Sequence, residues 1–286
     1  MVNALTWACS SARKSGGLLR LRSRRAVGQG FKSPQARSAA EGDGKMAETR
    51  VRELKYRMMI TDLLKVASES HTYQELSDYL GLSPPILSRY MRGHVLPSYD
   101  RAQGLYEKLM EITDIKAELK KRINFDEEGY FDNTPLVAEI TWLKIMANYA
   151  MEKFAGRRVT KVLTAAVDGI PCSTLVANLL DVDLLVAKET KEVGINEFLE
   201  ESFIPKGSAM RKTLYVPKAS LKKKDSILII DDVVRTGETI KALVDLVRNQ
   251  RADIAGIYIL VAVGDDWKRD LGEIISKESF EVLIEL

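Results

Sequence analysis

The sequence predicts an α/β protein with a doubly wound, mostly parallel sheet, preceded by a small all-α domain. Short apolar runs alternate with helical spacing after residue 125. One such run, Ile227–Ile230, leads directly into two adjacent acids and a turn that contains a glycine. Two short helices with capping residues come before residue 100. We therefore divide the chain into residues 1–45, 46–124 and 125–286.

Charge is distributed unevenly along the chain, whose net charge is +3. Residues 1–45 carry nine basic and two acidic residues, residues 46–124 carry 13 and 11, and residues 125–286 carry 21 and 27. The basic excess is therefore a property of the first segment. Two widely separated cysteines and two histidines argue against a disulfide framework and a His-based zinc site. No apolar run approaches the length of a membrane span, and we expect a cytoplasmic protein without membrane association.

The first segment, residues 1–45, is rich in Ser, Gly, Ala and Arg and has no sustained apolar period. This composition is typical of disordered chain. Three interpretations remain open: translation begins at Met46, where a globular pattern starts; the segment is a basic arm that binds nucleic acid; or it is an organelle transit peptide. An N-terminus at Met1, measured as the intact mass of the native protein, would contradict the first interpretation.

The middle segment predicts a bundle of short helices. Apolar spacing predicts helices over 50–68 and 100–112. Between them, Thr72 and Glu75 form the pattern of a capping box, in which each side chain binds the other residue's backbone N–H. The helix that they open ends at Gly81, because glycine readily adopts the left-handed conformation that terminates a helix.

A second capped helix follows this glycine. Ser83 is a capping residue, Pro84 suits the first helical position, and the helix ends near Arg92. Two helices joined by a tight glycine turn are typical of the helix-turn-helix motif. Residues 50–115 resemble the phage-repressor-like helix-turn-helix family. The alternative is a small helical domain that uses the same packing for dimerisation.

The resemblance to this family implies that the domain binds double-stranded operator DNA. Arg89 is then the best direct reader of a base, while Pro85 and Ile86 offer apolar contacts to thymine methyl groups. The implied DNA-binding residues are Gln74, Pro84, Pro85, Ile86, Ser88, Arg89, Arg92 and His94. Helix-turn-helix proteins commonly bind two half-sites of DNA as symmetric dimers, so we predict a homodimer.

The last segment, residues 125–286, alternates predicted helices and strands. Its β-loop-α-β order predicts a parallel sheet with ligands at the carboxyl ends of the strands. The predicted elements are a helix over 135–155, a strand over 161–166, a loop over 167–171, a helix to about Leu180, and strands over 183–188, 227–230, 254–263 and 280–286.

Residues 227–239 carry the chemistry of the predicted ligand site. The loop Arg235–Thr239 lies at a helix amino terminus, where exposed N–H groups and the helix dipole favour a phosphate. Gly237 permits close approach of the backbone. Asp231 and Asp232 come just before the loop, where carboxylates accept hydrogen bonds from sugar hydroxyls or hold Mg²⁺.

This stretch closely resembles the phosphoribosyl-pyrophosphate (PRPP) signature of the type I phosphoribosyltransferases. The resemblance implies that PRPP, with Mg²⁺ on Asp231 and Asp232, binds there. Its implied ligand-binding residues are Asp231, Asp232, Arg235, Thr236, Gly237, Glu238 and Thr239, with Asp168 and Gly169 in the family's pyrophosphate loop and Lys188 on pyrophosphate. Arg235 and Glu238 stand where the family commonly has small residues, and Ala187 replaces a common arginine.

Other parts of the segment depart further from the family. After Lys188, Lys191 and Gly194 match the family's flexible catalytic loop, but its histidine is missing and acids surround the lysines. The family's base-binding hood is represented at most by residues 129–136. Trp267 follows a strand end and either stacks on a base or packs in the core.

Two functions remain after this comparison. A helix-turn-helix fused to a phosphoribosyltransferase-like domain resembles the archaeal regulators of glucose and fructose catabolism and, more distantly, the purine repressor of Gram-positive bacteria. That resemblance implies a transcription regulator with PRPP or a nucleotide as effector and without catalysis. The alternative is an active phosphoribosyltransferase, of orotate or purine type, with an added helix-turn-helix domain.

Overall fold

The computed structural model describes residues 34–125, 127 and 131–286, and places the side chains of residues 50–125, 127 and 132–286. It divides into two compact units, Met1–Ala47 and Glu48–Leu286. Residues 1–33, and with them most of the predicted basic tail, lie outside the described residues. Helix α1 (Pro34–Ser70) begins inside the segment for which disorder was predicted and runs through the helix predicted over 50–68.

Four short helices follow α1, and the first three lie where the sequence predicted them. Thr72 Oγ1 accepts from the Glu75 amide at 3.3 Å and Glu75 Oε2 accepts from the Thr72 amide at 2.8 Å, which confirms the capping box. Gly81 takes the left-handed conformation at φ 64°. Ser83 opens its helix through its backbone alone, without the expected side-chain cap. These helices are α2 (Tyr73–Leu80), α3 (Pro84–Met91), α4 (Tyr99–Ile112) and α5 (Ile115–Lys120).

A five-stranded parallel sheet forms the centre of the remaining chain. The elements from residue 124 are, in order, β1 (Asn124–Phe125), β2 (Phe131–Asp132), α6 (Thr134–Ala138), α7 (Ile140–Lys153), β3 (Lys161–Ala165), α8 (Ile170–Leu180), β4 (Asp183–Ala187), β5 (Phe198–Phe203), β6 (Lys212–Pro217), β7 (Ser226–Val234), α9 (Glu238–Asn249), β8 (Asp253–Ala262), α10 (Asp266–Asp270), α11 (Gly272–Lys277) and β9 (Phe280–Glu285).

The strand order β4-β3-β7-β8-β9 confirms the doubly wound architecture. The order reverses between β3 and β7, so the loops that follow these two strands lead away to opposite faces of the sheet. A crevice at their carboxyl ends is the usual ligand position in such folds. The antiparallel pair β5–β6 lies beside the sheet as a separate hairpin.

Two predicted elements were wrong in their extent. The single helix expected over 135–155 is broken at Glu139, whose ψ of 102° leaves the helical region, and Ile140 just after the break is 56% exposed. Strand β7 runs past the predicted Ile230 to Val234, so Asp231 and Asp232 are residues of the strand itself.

The helical segment and one face of the sheet share a continuous hydrophobic core. Leu64 and Leu109 belong to the same buried cluster as Val162 and Tyr258. A second cluster covers the opposite face beneath α9. The division at residue 124 therefore remains a prediction. Within the described part of the chain, no helix is long and apolar enough to cross a membrane.

Candidate functional site

An open cleft of about 390 Å³ lies at the carboxyl ends of β3 and β7, where the strand order reverses. The cleft combines the loop after β3, the end of β7, the amino terminus of α9 and part of the β5–β6 hairpin. Its lining consists of residues 165–168, Glu189, Phe203, Pro205, Lys212, Leu214 and residues 231–240.

Most of the predicted ligand-binding residues meet in this cleft. Those that line it are Asp168, Asp231, Asp232, Arg235, Thr236, Gly237, Glu238 and Thr239. Gly169 lies directly beneath, and a Cβ there would overlap Thr164 Oγ1 and come within 3.1 Å of Asp231 Oδ1. Lys188 is not part of the lining. Its ammonium group forms an ion pair with Glu192 instead.

Two neighbouring carboxyl groups line the cleft, Asp231 buried and Asp232 half-buried. Asp231 is 6% exposed, and its burial, reinforced by the nearby charge of Asp232, raises its pKa well above the usual carboxyl value. Burial also raises the pKa of Asp232, while a hydrogen bond from Asn133 acts in the opposite direction. The negative charge of Asp168 adds to both effects. Hydrogen-bond donors or a cation from a ligand would offset the burial of these carboxylates and the repulsion between them.

Asn133 is a site residue that the sequence reasoning missed. Its Nδ2 donates to Asp232 Oδ2 at 2.7 Å and to Asp168 Oδ2 at 3.2 Å. The residue lies in the 129–136 segment that was expected to contribute a base-binding hood, just before α6. An Asn before Thr-Pro is an ordinary signal for a helix start, so nothing in its local sequence indicates this contact.

The loop between β7 and α9 has the geometry expected of a phosphate-binding turn. Gly237 takes φ 94°, and a Cβ there would lie 2.6–2.9 Å from the Leu271 side chain, so only glycine fits. The Thr236 hydroxyl donates to the Glu238 carboxylate, whose other oxygen accepts from the Lys206 amide at 3.0 Å. Glu238 therefore turns back over the loop, whereas Arg235 is exposed and has no hydrogen bond or ion pair with any described residue.

The family model of the phosphoribosyl transferase domain matches residues 131–282. The chain belongs to this family. Its fold is that of the type I phosphoribosyltransferases. The family uses Mg²⁺ with PRPP in general. These are therefore the ligands to consider at the paired aspartates of β7 and at the glycine turn after them.

Relatives in the phosphoribosyltransferase family include both regulators and enzymes. The chain is 28% identical over 133 residues to the purine biosynthesis transcriptional repressor PurR of Bacillus subtilis, covering 46% of this chain and 47% of that protein. It is 29% identical over 153 residues to the xanthine phosphoribosyltransferase of Alkaliphilus metalliredigens, covering 52% and 75%. It spans about half the length of the PurR relatives it matches.

A solved phosphoribosyltransferase supports the fold. The adenine phosphoribosyltransferase of Rhodothermus marinus superposes with a TM-score of 0.54 at 20% identity, covering 60% of this chain and 98% of that chain. At this identity the likeness concerns the fold alone.

The carboxylates of the phosphoribosyltransferase cleft fit a Mg²⁺ ion that arrives with a ligand. Asp232 and Asp168 both accept from the same Asn133 nitrogen, so their oxygens converge on one point. Carboxylate oxygens are the ligands that Mg²⁺ prefers, usually completed by phosphates and water. Among the described residues, no group of three acidic, histidine or cysteine side chains forms a metal site by itself. The ion would therefore need ligand oxygens as well.

The lysines around the phosphoribosyltransferase cleft are neutralised by neighbouring acids. Lys212 pairs with Glu189 at 2.7 Å. Lys191 pairs with Glu200 at 2.8 Å and lies 4.8 Å from the centre of the Tyr215 ring. In the described cleft, Arg235 is therefore the cation that remains available to a phosphate.

For Trp267, the geometry favours packing over base stacking. The side chain is 5% exposed, its ring stacks on Phe280 with centroids 5.7 Å apart, and its Nε1 donates to Gly264 O at 2.9 Å. The Trp267 ring and its Nε1 therefore already have partners within the protein.

The predicted DNA-binding residues form an exposed group on and after α3. Pro84, Pro85, Ile86, Arg89, Arg92 and His94 are exposed and Ser88 is half-buried. Gln74 is exposed on α2, where its amide donates to Asp78. The arrangement leaves the proposed reading face open, and its contact with DNA stays a prediction.

We expect Asp231→Asn to stabilise the ligand-free protein at neutral pH. The substitution removes a buried charge that lacks a cationic partner, and a gain of about 1 kcal/mol would raise the melting temperature by about 2–4 °C. Because the folded-state pKa of Asp231 is raised, the charge penalty is absent below the ordinary carboxyl pKa of about 3.9 and grows as the pH rises toward the folded-state pKa. Thermal melts across this range, with the exposed Asp253→Asn as control, test it. A pH-independent difference would contradict this explanation.

We also expect Glu238→Gln to tighten the binding of phosphate ligands. The variant removes a negative charge beside the loop while its amide oxygen still accepts from the Lys206 amide. Calorimetric titration with PRPP and Mg²⁺ should show a gain on the order of tenfold, equivalent to about 1.4 kcal/mol, and the gain should shrink at high salt. Glu273→Gln, on α11 and outside the cleft, is the control. Equal affinities for wild type and Glu238→Gln would show that this carboxylate does not oppose phosphate binding.

Proposed function

We propose that the protein is a DNA-binding transcription regulator whose phosphoribosyltransferase-like domain senses PRPP or a related nucleotide or phosphate metabolite. The proposal is supported by the combination, within one compact unit, of an exposed face on α3 in the predicted helix-turn-helix pattern and a candidate ligand cleft. The helix-turn-helix lies outside residues 131–282, which form the family domain. A catalytic domain alone does not require it.

The PurR relatives support the regulatory part of the proposal. They combine a transcriptional role, stated in their names, with similarity to this chain. The further resemblance to archaeal glucose and fructose regulators stays a prediction. We propose that the protein acts as a homodimer on double-stranded DNA, because two-fold symmetric helix-turn-helix proteins place their recognition helices on two half-sites.

The proposed mechanism is thermodynamic linkage. An effector that binds one arrangement of the helix-turn-helix better than another shifts the population towards that arrangement and so changes the affinity for DNA. Ribose hydroxyls and Mg²⁺ would bind the carboxylates of Asp231 and Asp232, and the phosphate would bind the loop Arg235–Thr239. Without such a ligand, the carboxylates of Asp168, Asp231 and Asp232 repel one another.

Arg89→Ala should reduce specific DNA affinity by about 1–3 kcal/mol and relax discrimination at one base position, because Arg89 is the exposed cation on the face of α3. Duplexes selected from a random pool by the wild-type protein serve as targets. Arg92→Ala is the matched comparison: as a phosphate contact it should weaken binding to all sequences and lower the salt slope by about 1. Unchanged discrimination in Arg89→Ala would remove this residue from the reading face.

The second candidate function is an active phosphoribosyltransferase, favoured by the similarity to xanthine phosphoribosyltransferases. An effector site and an active site use the same phosphate chemistry, so catalysis must be measured. We expect no pyrophosphate release from PRPP with orotate or any purine base, because the stretch that matches the family's catalytic loop lacks its histidine and has acids around its lysines. Turnover near one per second, a typical enzymatic rate, would overturn the regulator-only proposal.

A further inference from the structure

Helix α6 has a polar contact at each end, and the two contacts face different parts of the molecule. The helix has five residues and lies between Asn133 and Glu139. Asn133 contacts the ligand cleft, and Glu139 contacts the helical segment that contains the helix-turn-helix. Neither contact was predicted from the sequence. Asn133 directly precedes the first residue of α6, and Glu139 directly follows its last residue.

At the cleft end, one amide group holds two carboxylates. Asn133 Nδ2 donates to Asp232 at 2.7 Å and to Asp168 at 3.2 Å. These are the oxygens that sugar hydroxyls or a ligand-borne Mg²⁺ would use. A ligand that binds them competes directly with Asn133, so the Asn133 contact differs between the ligand-free and ligand-bound protein.

At the other end, Glu139 meets Arg122, a residue that contacts several elements at once. Arg122 Nε donates to Glu139 Oε2 at 3.4 Å, and its Nη1 donates to the Glu118 carbonyl of α5 at 3.2 Å. Its Nη2 is paired with Glu69 near the end of α1. The guanidinium also lies over the Trp142 ring of α7, 4.4 Å from the ring centre.

From these contacts we propose that α6 couples the ligand cleft to the helical segment through Asn133, Glu139 and Arg122. Ligand binding at Asp232 and Asp168 frees Asn133 and shifts α6. The shift changes the Glu139–Arg122 contact and, through it, the positions of α5 and α1, which share one buried cluster with α2 and α3. This coupling rests on the proposed function. It is the path by which a bound effector would change the affinity for DNA.

A different polar contact provides the control for this route. The Tyr106 hydroxyl of α4 donates to Glu152 of α7 at 2.5 Å. This contact also joins the helical segment to α7 but does not involve α6. Glu152→Gln therefore serves as the control for Glu139→Gln: each removes one carboxylate charge between the same two parts of the protein.

The first experiment requires no ligand and no DNA. Hydrogen–deuterium exchange is compared between the full-length wild type and Asn133→Ala, which lacks the donor to Asp232 and Asp168. We expect faster amide exchange in α5 and in the last turns of α1 in Asn133→Ala. Unchanged exchange in both elements, with the change confined to residues around 131–138, would overturn the coupling. A thermal melt confirms that the variant is folded.

The second experiment measures transmission of the ligand signal. PRPP with Mg²⁺ is added to wild type, Glu139→Gln and Glu152→Gln, with binding followed by calorimetry and exchange followed in α1 and α5. We expect all three to bind PRPP, but the exchange response of α1 and α5 to disappear in Glu139→Gln alone. On selected DNA, the ligand should change wild-type affinity by about 5- to 150-fold, and this factor should fall towards one in Glu139→Gln.

The outcomes separate the two proposals. Equal ligand responses in Glu139→Gln and wild type overturn the coupling through α6 while leaving the regulator intact. An exchange response that depends on Glu139, with no effect of PRPP on DNA affinity, supports the coupling and rejects the proposed function. If PRPP does not bind the wild type, the proposed effector is wrong, and the Asn133→Ala exchange still decides the coupling.

Discussion

The buried carboxyl of Asp231 is the constraint around which the ligand cleft is organised. Strand β7 continues through Val234 and places this side chain near the carboxyl end of the central strand, where it is 6% exposed. Gly169 is required beneath it because any Cβ would overlap Thr164 and crowd the carboxyl. Asp232 and Asp168 add further negative charge, and Asn133 is the amide that offsets part of it. The ligand-free cleft therefore favours hydrogen-bond donors and cations, which are what a sugar with Mg²⁺ brings.

The strands and most helices were predictable because local sequence determines them. Parallel strands buried on both faces appear as continuous apolar runs, as in residues 227–230 and 254–263. The extension of β7 past Ile230 was missed because acids are atypical of buried strands. The break at Glu139 was missed because the apolar spacing continues across it. The Asn133–Asp232 bond joins residues separated by 99 positions, and only the tertiary fold brings them together.

The ion pairs around the cleft are relevant to the two candidate functions, a ligand sensor and an enzyme. Lys188, Lys191 and Lys212 all form ion pairs with exposed acids. Exposed pairs of this kind contribute only about 0–1 kcal/mol each, so a strongly charged ligand is able to displace them. Glu238 is different, because it takes the Thr236 hydroxyl and the Lys206 amide inside the phosphate loop itself. A phosphate that bound this loop would compete with that carboxylate, and a site of lowered affinity responds to higher ligand concentrations than a tight site does.

A ligand changes a distant equilibrium only through contacts that differ between two states. Most of the interface between the helical segment and the sheet is apolar core, which packs at crystal-like density and transmits shifts of whole elements. Helix α6 is different, because five residues provide few internal hydrogen bonds and its position depends on the groups at its ends. One of those groups is bound to the carboxylates that a ligand would use, and the other to an arginine shared by α1, α5 and α7. This five-residue helix thus lies between the candidate ligand cleft and the helical segment that contains the predicted helix-turn-helix.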